Sequence, residues 1–489
     1  MAGGEDAFVS CDGGELRAER NSWGTRKIRR QLQSLHIRNF AGGGIHVGIV
    51  RTVAGFCALV AGFAVPSPAQ TNAAAANAAK QITIIRAAHL LDVRDGRVLA
   101  NQAILVEGDR IRQVGPAAGI VAEFGRGATV VDLGNSTLLP GLIDCHNHIL
   151  GNPKDQSSTA DLRMSSPQQA LWGLHNLQIW LAHGFTSLRD AGESDLAYGQ
   201  LALRNSINQG LVQGPRIVSA GNFISLTGGH GDADPLAPDQ ALPRRPNLAD
   251  NVEEIGDAVR RDIKYGADWI KLMATGGVMD PTSDFNVQEL SEEQMAMAVQ
   301  IAHRARKKVM AHAEGTDGIK AAVRAGVDSI EHGTMLDEEG AALMQSKGTW
   351  LVPTLYTFQH GVEVGTSLGA DAVTLEKGKK VLAYQQAAFS IALKHHLKIA
   401  YGVDDDPDYV SKEFGALVHG GMQPLEAIQA ATVRGSELLG LSDQIGTLET
   451  GKYADVIAVS SDPLADIQAM DNVVFVMKGG VVFKMPAQK

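Results

Sequence analysis

The sequence predicts an α/β protein in which a (β/α)8 TIM barrel is joined to a small β-sandwich domain built from both ends of the chain. Eight short apolar runs alternate with helical stretches over about 300 residues, as expected of eight β/α units. The flanking segments instead contain short β runs separated by Gly-Asp and Asp-Gly turns. The predicted barrel strands end near His148, Arg189, Ser225, Lys271, His312, His332, Tyr356 and Asp404.

The bulk composition is that of a globular protein, with 44% hydrophobic and 20% charged residues among 489. Residues 71–489 contain 36 Lys and Arg against 49 Asp and Glu, so this part lacks the positive charge that attracts nucleic acids or anionic membranes. We therefore expect a small-molecule substrate and neither a nucleic-acid partner nor a stable membrane anchor. Cys145 is the only cysteine after Cys57, which excludes a disulfide within the predicted domains.

Residues 1–70 are predicted to be an N-terminal extension that contains a signal peptide over about 47–70. Arg51 precedes an apolar run from Thr52 to Val65, and small residues follow around Pro66. The run is too short to cross a membrane. This pattern predicts export to the periplasm or the medium. The alternative, a disordered arm followed by an apolar helix, would leave the protein in the cytoplasm.

The signal pattern begins some fifty residues into the chain, which is consistent with translation starting near Val47 or Val50. An Asn- and Ala-rich stretch over residues 71–81 then predicts a linker. The predicted domains are residues 82–139 for the first part of the β-sandwich, 140–446 for the barrel and 447–489 for the second part of the β-sandwich.

Helix signals separate the barrel strands. Ser291-Glu-Glu-Gln has the capping-box pattern, so we expect a helix to begin there. Residues 316–325 and 374–394 follow helical spacing, and Pro424 can open a helix that runs through Leu439.

The first predicted barrel strand carries the most informative residues. After Pro140 and Gly141 the chain presents His146 and His148, two residues apart. Side chains at i and i+2 of a strand point the same way, so both imidazoles would face one point in space. Such a pair indicates the start of a metal site.

Four other strand ends also carry side chains that can bind a metal ion. Each alone could be an ordinary surface or core residue, but the active sites of TIM barrels lie where the strands end. A metal-dependent hydrolase is therefore the leading hypothesis. The predicted metal-binding residues are His146, His148, Lys271, His312, His332 and Asp404.

Three segments carry a family resemblance that covers about residues 82–484. Residues 140–148 and 446–456 are similar to the first-strand and C-terminal motifs of the amidohydrolase superfamily, in its binuclear-metal type with a carboxylated lysine. Residues 266–277, with Thr227-Gly-Gly-His-Gly upstream, resemble its Xaa-Pro dipeptidase and carboxypeptidase-like branch. Bacterial amidohydrolases that degrade ochratoxin A are the group to which the whole pattern is most similar, and imidazolonepropionases are more distant.

The resemblance implies two divalent metal ions, expected to be Zn²⁺ given nitrogen and oxygen ligands. His146 and His148 would hold the more buried ion, and His312 and His332 the second. Lys271, carboxylated by CO2, would bridge the two. A homo-oligomer is also expected.

The resemblance further implies that a metal-bridging hydroxide attacks the substrate carbonyl, while Asp404 binds the first metal and acts as general base and then acid. Asp405 or Asp406 could be the working carboxylate instead. His230 is expected either to polarise the carbonyl or bind a substrate carboxylate, or to be a surface loop residue. Tyr356 is expected either to line the substrate pocket or to be a core aromatic.

Two further expectations concern strand ends. Glu314, two residues after His312, would face the pocket, and Arg189 with Asp190 would form a structural ion pair.

The expected reaction is hydrolysis of an amide bond in a small carboxylate-bearing substrate, such as an N-acyl amino acid like ochratoxin A or an Xaa-Pro dipeptide. The alternatives are a cyclic amide or lactone hydrolase of the imidazolonepropionase type, and a non-catalytic scaffold. A deaminase is disfavoured because its single-metal site has no lysine at the position of Lys271.

Overall fold

The computed structural model describes residues 82–486, apart from residues 158, 233, 238, 241, 280 and 281. The predicted signal peptide and the predicted linker lie outside these residues. None of the helices in the described part of the chain is both long enough and apolar enough to span a membrane.

Strands and helices follow one another in the order that the sequence patterns indicate. The strands are β1 (Ile82–Leu91), β2 (Val98–Glu107), β3 (Arg110–Pro116), β4 (Thr129–Asp132), β5 (Thr137–Pro140), β6 (Leu142–Asn147), β7 (Phe185–Asp190), β8 (Arg216–Ile224), β9 (Trp269–Met273), β10 (Lys308–Ala313), β11 (Ser329–His332), β12 (Trp350–Val352), β13 (Val456–Val459), β14 (Val473–Lys478) and β15 (Val481–Lys484). The α-helices are α1 (Ala117–Phe124), α2 (Ala160–Arg163), α3 (Ser166–Ala182), α4 (Gly199–Asn208), α5 (Val252–Tyr265), α6 (Glu292–Arg304), α7 (Thr316–Ala325), α8 (Glu338–Lys347), α9 (Leu355–Leu368), α10 (Ala372–Lys394), α11 (Lys412–His419), α12 (Pro424–Gln429) and α13 (Gly435–Leu439).

Strands from both ends of the chain form one mostly antiparallel sheet, in the order β15-β14-β13-β5-β1-β2-β3, with β4 also paired to β1. Strand β5 connects the two parts, because it pairs with β1 on one side and with β13 on the other. Alternate residues point to opposite faces. Ile85 and Phe475 belong to the core on one face, whereas Ile84 packs near Ile120 of α1 on the other.

The middle of the chain forms a parallel barrel whose strands β6 to β12 are adjacent in chain order. Residues 398–404 occupy the eighth position. There the peptide N–H of Ala400 donates to the Leu351 carbonyl, and the N–H of Cys145 donates to the Tyr401 carbonyl. The ring is thereby closed between β12 and β6, and the predicted fold class is confirmed.

The helices between the strands bury their apolar sides against the barrel. Helix α6 begins with the predicted capping box, in which the Ser291 side chain accepts from the Gln294 N–H and the Gln294 side chain accepts in return. Helix α7 has the predicted bounds. The predicted helix from Pro424 consists of α12, a short π-helical segment over Ala430–Arg434, and α13.

Candidate metal centre

Five imidazole rings lie side by side in a row at the carboxyl ends of the barrel strands. Successive ring centroids are separated by 5.6 Å from His148 to His146, by 4.8 Å to His332, by 4.7 Å to His312 and by 4.4 Å to His230. The first four residues come from β6, β10 and β11 or directly follow them, and His230 lies in the loop after β8. The structure thus brings together all five histidines that the sequence singled out.

The two histidines of the first strand are each held by one ring nitrogen. The Nδ1 of His146 lies 2.7 Å from a carboxylate oxygen of Glu331. The Nδ1 of His148 donates to the Gly192 carbonyl over 2.6 Å. Because both partners only accept, Nδ1 carries the proton and the Nε2 lone pair is left for a ligand. The Nε2 of His146 is buried without a hydrogen-bond partner among the described residues, as a metal-binding nitrogen would be before an ion is added.

The other two strand-end histidines are also fixed on one side. The Nε2 of His312 donates to the Gly276 carbonyl over 3.0 Å. Nδ1 is therefore the ring nitrogen whose lone pair is left for a ligand. The Nδ1 of His332 lies 2.7 Å from the hydroxyl of Thr354. Such outer contacts fix the tautomer and orientation of metal-binding imidazoles.

Burial keeps these rings neutral. It lowers the pKa of His146, His312 and His332 well below the usual value, and nearby positive charge adds to the effect. The pKa of His148 is lowered to about 4, again chiefly by burial. A neutral imidazole is the form that binds metal, so at physiological pH the centre is ready to do so.

Lys271 reaches the same cavity from β9, and it is 1% exposed. Burial lowers the pKa of its amine, which increases the neutral fraction. A neutral amine is the form that can react with CO2. Gly192, which lies beside the lysine stem, has a φ of 97°, a backbone conformation that favours glycine.

Asp404 completes the group from the eighth barrel position. Its Oδ1 lies 3.7 Å from the Nε2 of His146 and 3.5 Å from the Nε2 of His148. Both Asp404 and His332 have positive φ, 55° and 69°, a conformation that costs non-glycine residues energy and is concentrated at functional sites. Burial raises the pKa of the Asp404 carboxyl.

The two carboxylates that follow Asp404 have other partners. Asp405 accepts from the Nδ1 of His360 over 2.9 Å. Asp406 accepts from the Asp408 N–H over 3.0 Å, which caps the short helical turn that follows. Of the three consecutive aspartates, Asp404 is therefore the one whose side chain approaches His146 and His148.

Some of the possible ligand atoms of the described His, Asp and Glu residues form two close groups. Those of His146, His332 and Asp404 lie within 4.8 Å of one another, and so do those of His148, Asp190 and Glu193. The second group includes two acids that the sequence did not single out as ligands. Their positions in the sequence could have identified them, since Asp190 ends strand β7 and Glu193 follows it by three residues.

The expected ion pair between Arg189 and Asp190 is replaced by a different one. Arg189 pairs with Glu331 at 2.8 Å, and both side chains are fully buried. Asp190 instead accepts from the Ser219 hydroxyl over 2.6 Å. Successive residues of a strand point to opposite sides, so neighbours on β7 cannot pair with each other easily.

His230 lies where the sequence suggested, beside the centre. Its peptide N–H donates to the Glu289 carboxylate over 2.9 Å, which anchors the loop. The ring fits above Gly277, because a Cβ on that glycine would overlap the imidazole. His230 and the metal-centre residues line one cavity, so a role toward substrate is open to it.

Tyr356 is placed elsewhere, which corrects its expected position in the substrate pocket. Strand β12 ends at Val352, and a turn at Thr354, with φ of 46°, leads directly into α9. Tyr356 is in the first turn of that helix, where its ring stacks on His360 and faces a different cavity. Phe358, two residues later, lines the cavity of the centre instead.

The cavity above the centre has a volume of about 410 Å³ and is continuous in its lining with a second of about 270 Å³. Apolar side chains form much of the shared wall, as is usual for small-molecule sites. These wall residues include Leu150, Val278, Met279 and Phe358.

Comparison with known proteins identifies the family of this chain. The profile of the Amidohydrolase family matches residues 137–483. Ochratoxinase from Aspergillus niger is 34% identical over 432 residues, which are 83% of this chain and 87% of that protein. Its crystal structure has a TM-score of 0.74 at 33% identity and covers 84% of this chain and 97% of its own.

Two other relatives also match most of the chain. The crystal structure of a Xaa-Pro dipeptidase with bound methionine in the active site has a TM-score of 0.76 at 32% identity, and covers 83% of this chain and all of its own. Imidazolonepropionase from Pseudomonas syringae pv. tomato is 24% identical over 420 residues, or 79% of this chain and 94% of that protein. From the matched profile and the identity to ochratoxinase, the chain belongs to the amidohydrolase family.

Proposed function

We propose that this amidohydrolase uses two divalent metal ions, expected to be Zn²⁺, to cleave an amide bond in a small carboxylate-bearing substrate. N-acyl amino acids such as ochratoxin A and Xaa-Pro dipeptides are the candidate substrates. The observation that carries the proposal is the set of four neutral, pre-oriented imidazoles that line one cavity together with Asp404. The ochratoxinase and Xaa-Pro dipeptidase relatives support the choice of substrates.

The donor set fits the proposed ions. Imidazole nitrogen and carboxylate oxygen are preferred zinc ligands, and His146 has a buried nitrogen that lacks any other partner among the described residues. His146 and His148 would hold one ion, and His312 and His332 the other. Lys271, once carboxylated, would supply an oxygen to each. When bound, the ions would polarise the scissile carbonyl and activate water.

The chain's own residues would then direct the proton. Asp404 would accept a proton from the attacking water and deliver it to the departing amine, so that it acts as base and then acid. Its buried setting, which raises the carboxyl pKa, favours such a proton carrier. His230, at the edge of the centre, would donate to the carbonyl oxygen or to the substrate carboxylate.

A cyclic amide or lactone hydrolase of the imidazolonepropionase type is the second candidate, supported by the 24% identity to that enzyme. Ring opening would use the same centre, so the two candidates differ only in the cavity walls. A non-catalytic scaffold is less consistent with a complete donor set. Export of the chain and assembly into a homo-oligomer are further proposals.

Metal analysis joined to a substrate screen tests the main proposal. Protein loaded with zinc in the presence of bicarbonate should contain two ions per chain and hydrolyse at least one member of a panel of N-acyl amino acids, Xaa-Pro dipeptides, ochratoxin A and imidazolonepropionate. Lys271→Ala should lose at least one ion and the activity. Lys308→Ala is the matched control, because Lys308 lies on the adjacent strand β10 and donates to the Leu438 carbonyl.

Two results would contradict the proposal. One is a wild-type stoichiometry of one ion or none. The other is a Lys271→Ala variant that keeps two ions and full activity, since no bridging ligand would then be needed. Turnover of imidazolonepropionate alone would favour the second candidate.

A further inference from the structure

Glu314 is a buried acid that the proposed mechanism does not use. It follows His312 by two residues, one position beyond the end of β10, is 1% exposed, and lines the cavity of the centre. Its peptide N–H donates to the Thr275 hydroxyl over 3.0 Å, which fixes the backbone. Neither of its carboxyl oxygens has a hydrogen-bond partner within normal distance among the described residues, although the equally unpaired Thr334 hydroxyl is close enough to favour the ionised carboxyl.

An unpartnered buried carboxyl group is costly, so proteins keep one mainly where a ligand supplies the partner. The described lining of this cavity does not supply it. Lys271 is the one Lys or Arg among the described lining residues, and the proposed mechanism uses it at the metals. The same lining contains a further acid, Asp232, whereas Asp155, also in the lining, already pairs with Arg163 at 2.6 Å. A ligand group that brings a positive charge to the Glu314 carboxyl would therefore be favoured.

The spacing along β10 suggests where that charge would be. Residues two apart on a strand lie about 6.6–6.8 Å apart and point to the same side. In an α-aminoacyl amide a single carbon separates the amino group from the scissile carbonyl. A carbonyl held beside His312 would thus bring such an amino group within reach of Glu314.

We infer that Glu314 binds the free amino group next to the scissile carbonyl, so that the preferred substrates are amides of unblocked α-amino acids. This inference rests on the proposed function and narrows it. It favours Xaa-Pro-type dipeptides over N-acyl amino acids, whose acyl group carries no amine. Glu314 would be a specificity-determining residue, which holds the substrate without taking part in bond cleavage.

Matched substrate pairs test the inference. Xaa-Pro dipeptides with apolar first residues would be compared with their desamino counterparts, for example alanyl-proline with propanoyl-proline, on the zinc-loaded full chain. We expect kcat/KM to be about 100-fold higher for the dipeptide, as for a buried charge-assisted hydrogen bond. Glu314→Gln should lower kcat/KM of the dipeptide by about 30-fold or more and that of the desamino compound by less than about threefold.

Asp317→Asn is the control, because it makes the same change of charge three residues further on, at an exposed position of α7. It should leave both rates unchanged. The ratio of the two rates within one protein sample does not depend on the folded fraction. If Glu314→Gln does not fold, equal hydrolysis of the dipeptide and its desamino counterpart by the wild type would still overturn the inference.

Three outcomes would overturn the inference. Equal hydrolysis of the dipeptide and its desamino counterpart by the wild type would remove the need for an amine, and the proposed function would stand. An equal loss on both substrates in Glu314→Gln would make Glu314 a structural residue. If neither these pairs nor any other amide were hydrolysed, the proposed function would fail, and the inference with it.

Discussion

The Nδ1 atom of His146 lies 2.7 Å from a carboxylate oxygen of Glu331, and this carboxylate also pairs with Arg189 at 2.8 Å. All three side chains are buried. The contact fixes the imidazole tautomer and directs Nε2 toward Asp404. Glu331 is therefore a positioning residue for the proposed metal centre.

The first prediction follows from this contact. Glu331→Gln should weaken zinc binding by about 10- to 100-fold, the usual cost of losing an outer partner of a metal-binding histidine. Competition with a chelator of known affinity would measure the change. Glu339→Gln, at an exposed position of α8, is the control. Unchanged zinc affinity in Glu331→Gln would show that His146 does not depend on this contact.

The second prediction separates the consecutive aspartates. Asp404→Asn should lower kcat by about 10²- to 10⁴-fold, because the amide cannot take up the proton. Asp405→Asn keeps an oxygen for the bond to His360 and should lower kcat by less than about tenfold. Steady-state kinetics of both zinc-loaded variants would decide. A larger loss in Asp405→Asn would mean that the working carboxylate is not Asp404.

The third prediction concerns the space that His230 occupies. In Gly277→Ala the new methyl group would overlap the His230 ring, so the imidazole must move away from the cavity. We expect kcat/KM to fall to the level of His230→Ala while two ions remain bound. Gly119→Ala, where a Cβ meets no atom within 4 Å, is the control. Full activity in Gly277→Ala would argue against any role of His230 toward substrate.

The fourth prediction concerns stability and pH. Asp262 of α5 is buried and accepts from the Tyr198 hydroxyl over 2.8 Å, and burial raises its pKa from the ordinary 3.8 to about 7. The folded state therefore binds the proton more tightly than the unfolded state. The resulting stabilisation is complete below about pH 4 and is lost as the pH rises through about 7.

Asp262→Asn removes this titration and keeps an oxygen for Tyr198. The unfolding free energy of the wild type relative to this variant should fall by more than about 1 kcal/mol between pH 4 and pH 8, since each unit of pKa shift corresponds to about 1.4 kcal/mol. Urea unfolding at several pH values would measure it. Asp257→Asn, at an exposed position of the same helix, should show no such trend. If the difference in unfolding free energy between the wild type and Asp262→Asn did not change with pH, the raised pKa of Asp262 would be contradicted.

The sequence predicted those parts of the centre that depend on local rules. The i, i+2 spacing on a strand brought His146 and His148 to one side, and the alternation of strands and helices located the strand ends that carry Lys271, His312 and the rest. Register across the barrel is not local, so the pairing of Arg189 with Glu331, 142 residues apart, could not be read from either segment.

Tyr356 shows a second limit. Its position after an apolar run suggested a strand end facing the pocket. The turn at Thr354 instead starts α9 at once, and one helical turn is enough to direct Tyr356 away from the cavity. Where a strand passes into a helix within two residues, the side that a residue faces depends on the exact geometry of the turn.

The position of β5 between β1 and β13 bears on how the chain is made. A ribosome releases β1 to β5 long before β13 to β15. The sheet therefore cannot be completed until the whole barrel has been synthesised. Until then one side of β5 carries unpaired peptide groups, the kind of open edge that promotes aggregation. Chains that stop before Val456 should therefore be found in the insoluble fraction or be degraded, even though every barrel residue with a proposed metal role has already been synthesised.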